Sequence, residues 1–259
     1  MPTSYAQEAS LVSALELEPM HTETVVIGAG RVGTVVAARL GARLVARGED
    51  PDLGGCRLLA IATPDAAIAG VCSALAPRLE PGAAVVHFSG GTSLSALAAA
   101  SGPRACVHPL QTVWPERGPD QLEGAHAAVT GDWELGAGLA RALGMTPFAL
   151  ADAAKPVYHA ASVLASNYLV TLTHAAVGLL GQAGLEREAA LTALRPLQHR
   201  SVDVSGLPPT GPIARGDAAT VAAHLEAVGP ELAPLYRALG RATLPLVSPA
   251  AAAAVREVL

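Results

Sequence analysis

Hydrophobic and polar positions follow one pattern over about the first 150 residues and a different one after them. In the first part, short apolar runs rich in Val, Ile and Leu alternate with segments whose apolar positions recur at helical spacing. The runs predicted as strands cover residues 24–28, 43–47, 56–64, 83–91, 104–112, 125–130 and 146–151. Such strands, separated by helices, are typical of a parallel sheet covered on both faces. The pattern therefore predicts a doubly wound α/β domain with a mostly parallel sheet over residues 21–151.

The second pattern begins at Asp152, where helical signals continue and strand signals almost disappear. This change predicts an all-helical C-terminal domain over residues 152–259. Residues 1–20 are left as an N-terminal extension, which lacks the basic start, compact apolar run and cleavage site of a signal peptide. Asp65 and Asp217 each precede an apolar helical segment, so we expect their carboxylates to cap those helices.

Composition and charge exclude several classes of protein. Hydrophobic residues make up 51% of the chain and charged residues only 15%, which is ample material for a folded core. The net charge is -5 and the basic residues are scattered, so no nucleic-acid partner is expected. The three cysteines lie far apart, which argues against a metal site and is typical of reduced cytoplasmic thiols. The apolar segment 160–181 is long enough to span a membrane, but its polar residues favour a helix buried between protein surfaces.

A glycine-rich turn follows the first predicted strand. Residues 28–33, GAGRVG, match the pattern G-x-G-x-x-G and open a helix, which is the context that dinucleotide binding requires. Gly28 permits the tight turn, Gly30 lets the backbone approach a pyrophosphate, and Gly33 lets helix and strand pack closely. Arg31 and Val32 complete the candidate phosphate-binding turn. The alternative is an ordinary strand–turn–helix whose glycines serve packing alone.

The end of the second strand bears on the choice of cofactor. Arg47 stands there, and an arginine at this place suits the 2′-phosphate of NADP, whereas an acidic residue would bind the ribose of NAD. NADP is therefore expected, although Glu49 and Asp50 follow closely and leave NAD open. Arg47 could also be a solvated charge. Only eight residues, GEDPDLGG, separate the second and third strands, so we expect an open adenine pocket.

Ligands of open parallel sheets bind beyond the carboxyl ends of the strands. The turns at those ends supply five further candidates: Thr63, Pro64, Ser89, His108 and Gln111. His108 precedes a proline that biases it away from helix, so this turn could hold its imidazole over a cofactor. A structural role is the alternative for each of them, and His87, inside its strand, is expected to be packed.

The segment 155–168, KPVYHAASVLASNY, contains the only lysine and the only asparagine of the chain. On a helix, its polar residues and those just after it fall on two narrow stripes. One stripe holds Lys155, His159, Ser162, Ser166 and Thr173, and the other holds Asn167, Thr171 and His174. Buried polar groups need partners, which are either a bound substrate and nicotinamide or neighbouring helices. For Lys155, a solvated charge at the helix start is a third possibility.

A loop in the C-terminal part adds one more candidate. Arg215 lies in the segment 210–225, TGPIARGDAATVAAHL, just before the predicted cap Asp217. An arginine in this position can grip an anionic substrate group with two hydrogen bonds, or it can hold loop carbonyls.

Four stretches together carry a family resemblance: GAGRVG, VHPLQTV (107–113), KPVYHAASVLASNYLVTL (155–172) and the segment 210–225. Over about residues 21–250 the chain resembles the superfamily of the 6-phosphogluconate and β-hydroxyacid dehydrogenases, pyrroline-5-carboxylate reductases and deazaflavin-dependent NADP reductases. Within it, the likeness is to a bacterial family with a Rossmann-like NADP-binding domain and a helical domain of unknown function. VHPLQ is also similar to the His-Pro turn of prephenate dehydrogenases.

The resemblance implies a Rossmann-like domain, a 6-phosphogluconate-dehydrogenase-like helical domain, hydride transfer between the domains and a homodimer formed through the helical domains. The β-hydroxyacid dehydrogenase pattern places lysine and asparagine one helical turn apart. In this chain Lys155 and Asn167 are farther apart, so the role of the lysine does not carry over directly.

These observations lead to the hypothesis of an NADP-dependent oxidoreductase acting on a small carbonyl, imine or hydroxy-acid substrate that can carry an anionic tail. His159 or His108 would transfer the proton, and Asn167 and Ser89 would orient the substrate or the nicotinamide carboxamide, with Lys155 as a further catalytic candidate. Gln111, Ser166 and Arg215 would contact the substrate. The alternatives are a non-catalytic NADP(H) sensor and a dimeric interaction protein.

Overall fold

A seven-stranded sheet forms the first part of the computed structural model, which describes residues 23–204 and 206–259. The strands are β1 (Thr24–Ile27), β2 (Arg43–Val45), β3 (Leu58–Ile61), β4 (Ala84–His87), β5 (Arg104–Pro109), β6 (His126–Gly131) and β7 (Thr146–Ala149). Their order is β2-β1-β3-β4-β5-β6-β7, and every pairing is parallel except β5 with β6. The predicted doubly wound, mostly parallel α/β fold is confirmed. The predicted N-terminal extension, residues 1–20, lies outside the described residues.

Four helices accompany the sheet in the described part of the chain up to Ser166: α1 (Arg31–Leu40), α2 (Ile68–Leu75), α3 (Trp133–Ala142) and α4 (Lys155–Ala165). The inner strands β1 and β3 to β6 are buried on both faces because their side chains alternate between two cores, whereas the edge strands β2 and β7 are partly exposed. Val26 and Val86 belong to the core that includes α1 and α3, whereas Leu59 and Val85 belong to the core that includes α2.

The cap predicted for Asp65 is wrong. A 3₁₀ turn, Asp65–Ala67, precedes α2, and Pro64 occupies its cap position without a side-chain hydrogen bond. Asp65 therefore lies inside the turn, where its carboxylate does not cap the helix. By contrast, Asp132 caps α3 by accepting the Leu135 N–H at 3.0 Å.

Helices make up the described residues from Asn167 onward. They are α5 (Asn167–Gln182), α6 (Arg187–Asp203), α7 (Pro212–Arg215), α8 (Ala218–Ala227), α9 (Gly229–Thr243) and α10 (Pro249–Val255). Val221, Leu225, Val255 and Leu259 form the buried centre of this unit. Asp217 caps α8 as predicted, because its carboxylate accepts the Thr220 N–H at 3.0 Å.

The two compact units of the chain divide between Ser166 and Asn167. The first helix after the sheet, α4, thus belongs to the α/β unit. Asp152, just before α4, accepts hydrogen bonds from the Ser93 hydroxyl at 2.6 Å and the Leu94 N–H at 2.9 Å, which ties the helix start to the loop after β4. The single long helix predicted from Lys155 onward is interrupted at Ser166, whose backbone has φ -122 and ψ -71.

The apolar segment after Ser166 is not buried within the chain, contrary to the expectation. Val177 is the one buried residue of α5, and Tyr168 and Val170 are more than half exposed. The helical stretch Asp152–Gln182 is long and apolar enough to cross a membrane, by length and composition only. One such helix is weak evidence for a membrane span, and an exposed apolar surface is also what a protein partner would cover.

Candidate active site

At the two ends of the glycine-rich turn, no residue larger than glycine fits. A Cβ on Gly28, whose φ is +112, would lie 2.7 Å from the Ala62 carbonyl oxygen. A Cβ on Gly33 would lie 1.9 Å from the Gly28 carbonyl oxygen, so α1 packs directly on the turn. Gly30 meets no such obstacle, is exposed and precedes α1, whose first N–H groups have no helical partner. This arrangement is the one in which a helix N-terminus binds a phosphate.

A cleft of about 770 Å³ opens beside this turn. It is lined by the turn itself, the end of β2, the end of β3 and one side of α2. Five predicted cofactor-binding residues are among the lining residues: Gly28, Gly30, Arg47, Thr63 and Pro64. No helix of the described residues separates β2 from β3, which leaves the cleft open at that end.

Some charged residues around the cleft form ion pairs with each other, whereas Arg47 does not. Arg78 pairs with Asp50 at 2.7 Å, and Arg43 pairs with Asp52 at 3.6 Å, so Arg43 faces the loop. Arg47 is exposed in the cleft lining and takes part in no ion pair among the described residues.

Two further charged side chains at this edge are held by other contacts. Glu49 accepts the Ala46 N–H at 2.9 Å, which closes the turn around Arg47. Arg31 lies at the mouth of the glycine-rich turn with its guanidinium 4.0 Å from the centre of the Trp114 ring. Val32 is half-buried against the sheet core.

Two histidines meet at the loop that follows β4. The rings of His108 and His159 are 6.0 Å apart and nearly perpendicular. A Cβ on Gly90 would lie 2.8 Å from His108 Nε2 and 2.7 Å from His159 Nδ1. The missing side chain of Gly90 thus allows both imidazoles to reach this loop. The other nitrogen of His108, Nδ1, is hydrogen-bonded to the Tyr158 hydroxyl at 2.7 Å.

Lys155 is buried, with only 1% of its surface exposed. The interpretation of Lys155 as a solvated charge is therefore wrong. Its ammonium has no nitrogen or oxygen hydrogen-bond partner in the described part of the chain, and its polar neighbour is the Cys106 thiol. Four buried side-chain atoms share this property among the described residues: Thr63 Oγ1, His87 Nε2, Lys155 Nζ and His159 Nδ1. Buried polar groups are nearly always satisfied, so unpaired ones mark a place where water or a ligand supplies the partner.

All four unpaired atoms belong to one edge of the sheet. Thr63 follows β3 and His87 ends β4, and these strands are paired with Ile61 opposite His87. Lys155 and His159 lie one turn apart on α4, and the His159 ring packs against Gly90 and Gly91 just after β4. The carboxyl edge of the sheet therefore concentrates unsatisfied polar groups beside the cleft.

Burial dominates the electrostatics of this edge. It lowers the pKa of His87 to about 4, with the Lys155 ammonium adding to the effect, and Asp65 and Asp152 opposing it. Burial likewise lowers the pKa of His108 to about 4, helped by His159 and Lys155. Both imidazoles are consequently neutral near pH 7.

Two other titratable groups flank Lys155. Burial raises the pKa of the Cys106 thiol, and the Lys155 ammonium works in the opposite direction without overcoming it. For Asp152, burial alone would raise the pKa. The hydrogen bonds from Ser93 and Leu94 and the nearby Lys155 ammonium outweigh that effect, so the pKa of this carboxyl is lowered.

Two other predicted residues make local contacts. The Ser89 hydroxyl accepts the Thr92 N–H at 2.9 Å and bonds the Thr92 hydroxyl at 2.9 Å, which shapes the loop next to the histidines. Gln111 is exposed, and its side-chain oxygen accepts the Thr112 N–H at 2.9 Å.

The remaining predicted site residues lie at or after the end of the first unit. The Ser166 hydroxyl donates to the Ser162 carbonyl at 2.7 Å, which is a bond within the helical segment. Asn167 begins α5 and Arg215 ends α7, so both belong to the second compact unit, and both are exposed.

The sequence analysis did not assign a site role to several residues that contact the candidate site residues. They are Gly90, Cys106, Trp114 and Tyr158, together with His87, which was expected only to be packed. Tyr158 could have been found, because it lies next to His159 and one turn after Lys155. No group of three or more His, Cys, Asp and Glu residues that could hold a metal ion occurs in the described residues.

Comparison with known proteins gives one family match and many structural matches. Residues 124–243 match the family described as Domain of unknown function (DUF2520). The matched segment begins just before β6 and ends with α9. No curated protein matches the chain.

Three solved structures illustrate the structural likeness. A candidate NADP oxidoreductase, BF3122 from Bacteroides fragilis, is 21% identical with a TM-score of 0.72, over 86% of this chain and 98% of that one. Protein TM1727 from Thermotoga maritima is 20% identical with a TM-score of 0.62, over 86% and 97%. The reductive aminase from Aspergillus terreus, solved with NADPH4, cyclohexanone and allyl amine, is 16% identical with a TM-score of 0.57, over 92% and 100%.

At these identities the shared property is the fold. The predicted Rossmann-like fold is thereby confirmed, since the solved structures of an NADP oxidoreductase and of a reductive aminase share it.

Proposed function

We propose that the protein is an NADP-dependent oxidoreductase that acts on a small carbonyl, imine or hydroxy-acid substrate. The observation that carries the proposal is the set of four buried, unpaired polar atoms at the carboxyl edge of the sheet, next to the nucleotide-sized cleft. Polar groups of a bound substrate and cofactor would supply the partners that these atoms lack within the chain. The fold of NADP oxidoreductases and of a reductive aminase supports the same class.

The residues of the cleft fit a dinucleotide. Gly28 and Gly33 hold the turn against β3 and α1, and the free N–H groups at the start of α1 would receive the diphosphate. Arg47 supplies a positive charge in the lining that no described carboxylate neutralises, and it would bind the 2′-phosphate that distinguishes NADP from NAD. When bound, the nicotinamide supplies the hydride donor or acceptor.

The polar edge would serve the reacting groups of the substrate. His108 and His159 converge on Gly90 and would give or take the proton that accompanies hydride transfer. Lys155 would bind a polar or anionic group, because a buried ammonium without a partner favours an acceptor. Ser89 shapes the loop, while Gln111, Ser166, Asn167 and Arg215 are proposed to contribute further substrate contacts.

A second copy of the chain is proposed to cover the apolar surface of the helical unit. Val170, Leu197 and Val202 are each more than half exposed, and together they are more apolar than a solvated helix surface. We propose a soluble, cytoplasmic homodimer. Light scattering should give twice the chain mass for the wild type, and Leu197→Glu should shift the protein toward the monomer. A monomeric wild type at micromolar concentration would refute the dimer.

Cofactor binding is tested by thermal shift with NADPH, NADH, NADP and adenine nucleotides. A ligand at ~100 times its Kd stabilises the folded state by about 2.7 kcal/mol, which is readily measured. NADPH should raise the Tm more than NADH, and Arg47→Ala should remove the difference between them. Equal shifts with NADPH and NADH in the wild type would contradict the assignment of the 2′-phosphate to Arg47.

Turnover is tested with the purified protein on a panel of carbonyl compounds, imines and hydroxy acids, by following nicotinamide absorbance. His159→Ala should abolish activity while leaving NADPH binding and the Tm nearly unchanged. Tight NADPH binding without turnover on any substrate would instead favour a non-catalytic sensor, whose cofactor site is the same. Absence of nucleotide binding would favour the dimeric interaction protein.

A further inference from the structure

Tyr158 is held against His108 by geometry that leaves its hydroxyl little freedom. The hydroxyl and His108 Nδ1 are 2.7 Å apart, and the two rings are perpendicular with centres 5.5 Å apart. On its other side the Tyr158 ring contacts Phe148, with centres 6.1 Å apart and an angle of 66°. The phenol is thus fixed between a strand residue and the imidazole.

The second nitrogen of His108 points toward the loop of the proposed active site. His108 Nε2 approaches Gly90, on the same side as the unpaired Nδ1 of His159. His108 therefore connects two places: the half-buried Tyr158 hydroxyl at one nitrogen and the edge with the unsatisfied polar groups at the other.

The surroundings of His108 keep its ring neutral. His159 and Lys155 of α4, Asp65 of the turn after β3 and His87 of β4 are the titratable groups that act on it, besides Tyr158 itself. Burial and the nearby ammonium hold its pKa at about 4, whereas burial raises the pKa of the Tyr158 phenol above its usual value. At pH 7 the phenol carries a proton and the imidazole carries one.

We propose that Tyr158 and His108 form a proton relay, in which Tyr158 donates to Nδ1 and His108 donates from Nε2 to the substrate. This inference rests on the proposed oxidoreductase function. As the substrate carbon gains a hydride, its oxygen or nitrogen takes the Nε2 proton and the C=O or C=N double bond becomes single. His108 Nδ1 takes the phenol proton at the same time, so the ring stays neutral. After the product leaves, His108 Nε2 takes a proton from water and Nδ1 returns its proton to the Tyr158 phenolate, which restores the resting tautomer.

The relay requires one tautomer of His108 in the resting protein, which can be measured without cofactor or substrate. Long-range ¹H–¹⁵N NMR of protein labelled at histidine should show Nε2 protonated and Nδ1 unprotonated at pH 7. Tyr158→Phe keeps the ring contacts and removes the hydroxyl, so the population of the Nδ1–H tautomer should rise. Tyr168→Phe, an exposed tyrosine on α5, is the matched control and should leave the His108 signals unchanged.

Observation of the Nδ1–H tautomer in the wild type would overturn the relay, whatever the protein binds. This outcome is distinct from a failure of the oxidoreductase proposal, which would appear as absent NADPH binding or absent turnover.

The catalytic part of the inference is tested on any substrate that the wild type turns over. Tyr158→Phe should lower kcat by 10-fold or more, because general acid catalysis contributes about 10²–10⁴-fold, while the KM for NADPH stays within about 2-fold. The variant should also show a larger solvent deuterium isotope effect, since proton transfer becomes slower relative to the other steps. An unchanged kcat, with the tautomer shift present, would refute a role for Tyr158 in turnover.

Discussion

The Arg31 guanidinium stacks on the Trp114 ring, 4.0 Å from its centre, which joins the first residue of α1 to the loop after β5. Trp114 is itself fixed, because its backbone N–H and carbonyl are both bonded to the Gln121 side chain, at 2.8 and 2.7 Å. The stack therefore holds a cation at the mouth of the glycine-rich turn, where the diphosphate of the proposed dinucleotide would lie.

Replacing Trp114 with leucine should weaken NADPH binding by about 2- to 10-fold, since a cation–π contact contributes about 0.5–2 kcal/mol and the guanidinium would lose its orientation. Calorimetric titration with NADPH measures the change. Trp133→Leu, at the exposed start of α3, is the control and should bind like the wild type. Equal affinities for both variants would show that the stack does not position Arg31.

Gly33 is predicted to be irreplaceable for steric reasons. In Gly33→Ala the new Cβ would meet the Gly28 carbonyl oxygen at 1.9 Å, so α1 must move away from the turn. Although alanine favours a helix by about 1 kcal/mol over glycine, the clash should dominate, lower the Tm and weaken NADPH binding at least 10-fold. Gly138→Ala, inside α3 with nothing within 4 Å, isolates the helix effect and should raise the Tm slightly. A stable Gly33→Ala variant with wild-type affinity for NADPH would contradict this account of the glycine-rich turn.

Substitutions at Gly90 and Gly91 form a matched pair that tests the packing of His108 and His159 against this loop. A Cβ on Gly90 would meet His159 Nδ1 at 2.7 Å and His108 Nε2 at 2.8 Å, while one on Gly91 would first meet His159 at an ordinary 3.5 Å. Gly90→Ala should therefore displace both rings and lower turnover by more than 10-fold, with NADPH affinity nearly kept. Gly91→Ala should reduce turnover far less. If the two variants were equally active, the approach of the imidazoles to Gly90 would have no functional meaning.

Lys155 is expected to cost stability, since a buried ammonium without a hydrogen-bond partner has lost its hydration. Lys155→Met keeps most of the volume and removes the charge, so the free energy of unfolding in urea should increase by about 1–3 kcal/mol at pH 7. The pKa of His108 should rise as well, because the ammonium lowers it. Arg57→Met, at an exposed cation, should change stability by less than about 1 kcal/mol. A destabilised Lys155→Met protein would mean that Lys155 is satisfied in solution.

The fold could be predicted from local sequence because strands, helices and the glycine turn are set by short-range patterns. Apolar β-branched runs predicted the strands. GAGRVG lies directly between a strand and a helix, and the lack of space for a side chain at Gly28 and Gly33 explains why both positions are glycine. Asp217 acted as a cap because it directly precedes its helix. Asp65 did not, because Pro64 and a 3₁₀ turn come first.

The site could be predicted only in part, since its decisive contacts join residues far apart in sequence. His108 and Tyr158 are 50 positions apart, and Asp152 reaches Leu94 across 58. The burial of Lys155 results from that second contact, which ties the start of α4 to the loop after β4, and helical periodicity does not reveal it. The break at Ser166 was equally hidden: Ser162 and Ser166 hydroxyls bond carbonyls one turn back, a contact that bends helices.

Stability should depend on pH through the two buried histidines. His87 and His108 have pKa values of about 4 in the folded protein, against about 6.5 when unfolded, so the unfolded chain binds more protons between these values. The contribution of these histidines to the free energy of unfolding should level off by about pH 7 and fall as the pH drops from 6.5 toward 4, by up to about 3 kcal/mol for each histidine. The carboxyl of Asp152, whose pKa is lowered, contributes stability that is lost only at still lower pH.

Urea denaturation at intervals from pH 4.5 to 7.5 measures the slope of the free energy of unfolding against pH. His108→Asn should reduce it, whatever the variant does to stability at pH 7, because one of the two titrating groups is gone. His126→Asn, at an exposed histidine of β6, should leave it as in the wild type. The slope depends only on the folded and unfolded states of the chain, so it checks the burial of His87 and His108 independently of any cofactor or substrate. A flat profile between pH 5 and 6.5 would mean that His87 and His108 are hydrated in the folded protein, and the edge could not then keep His108 neutral for proton transfer.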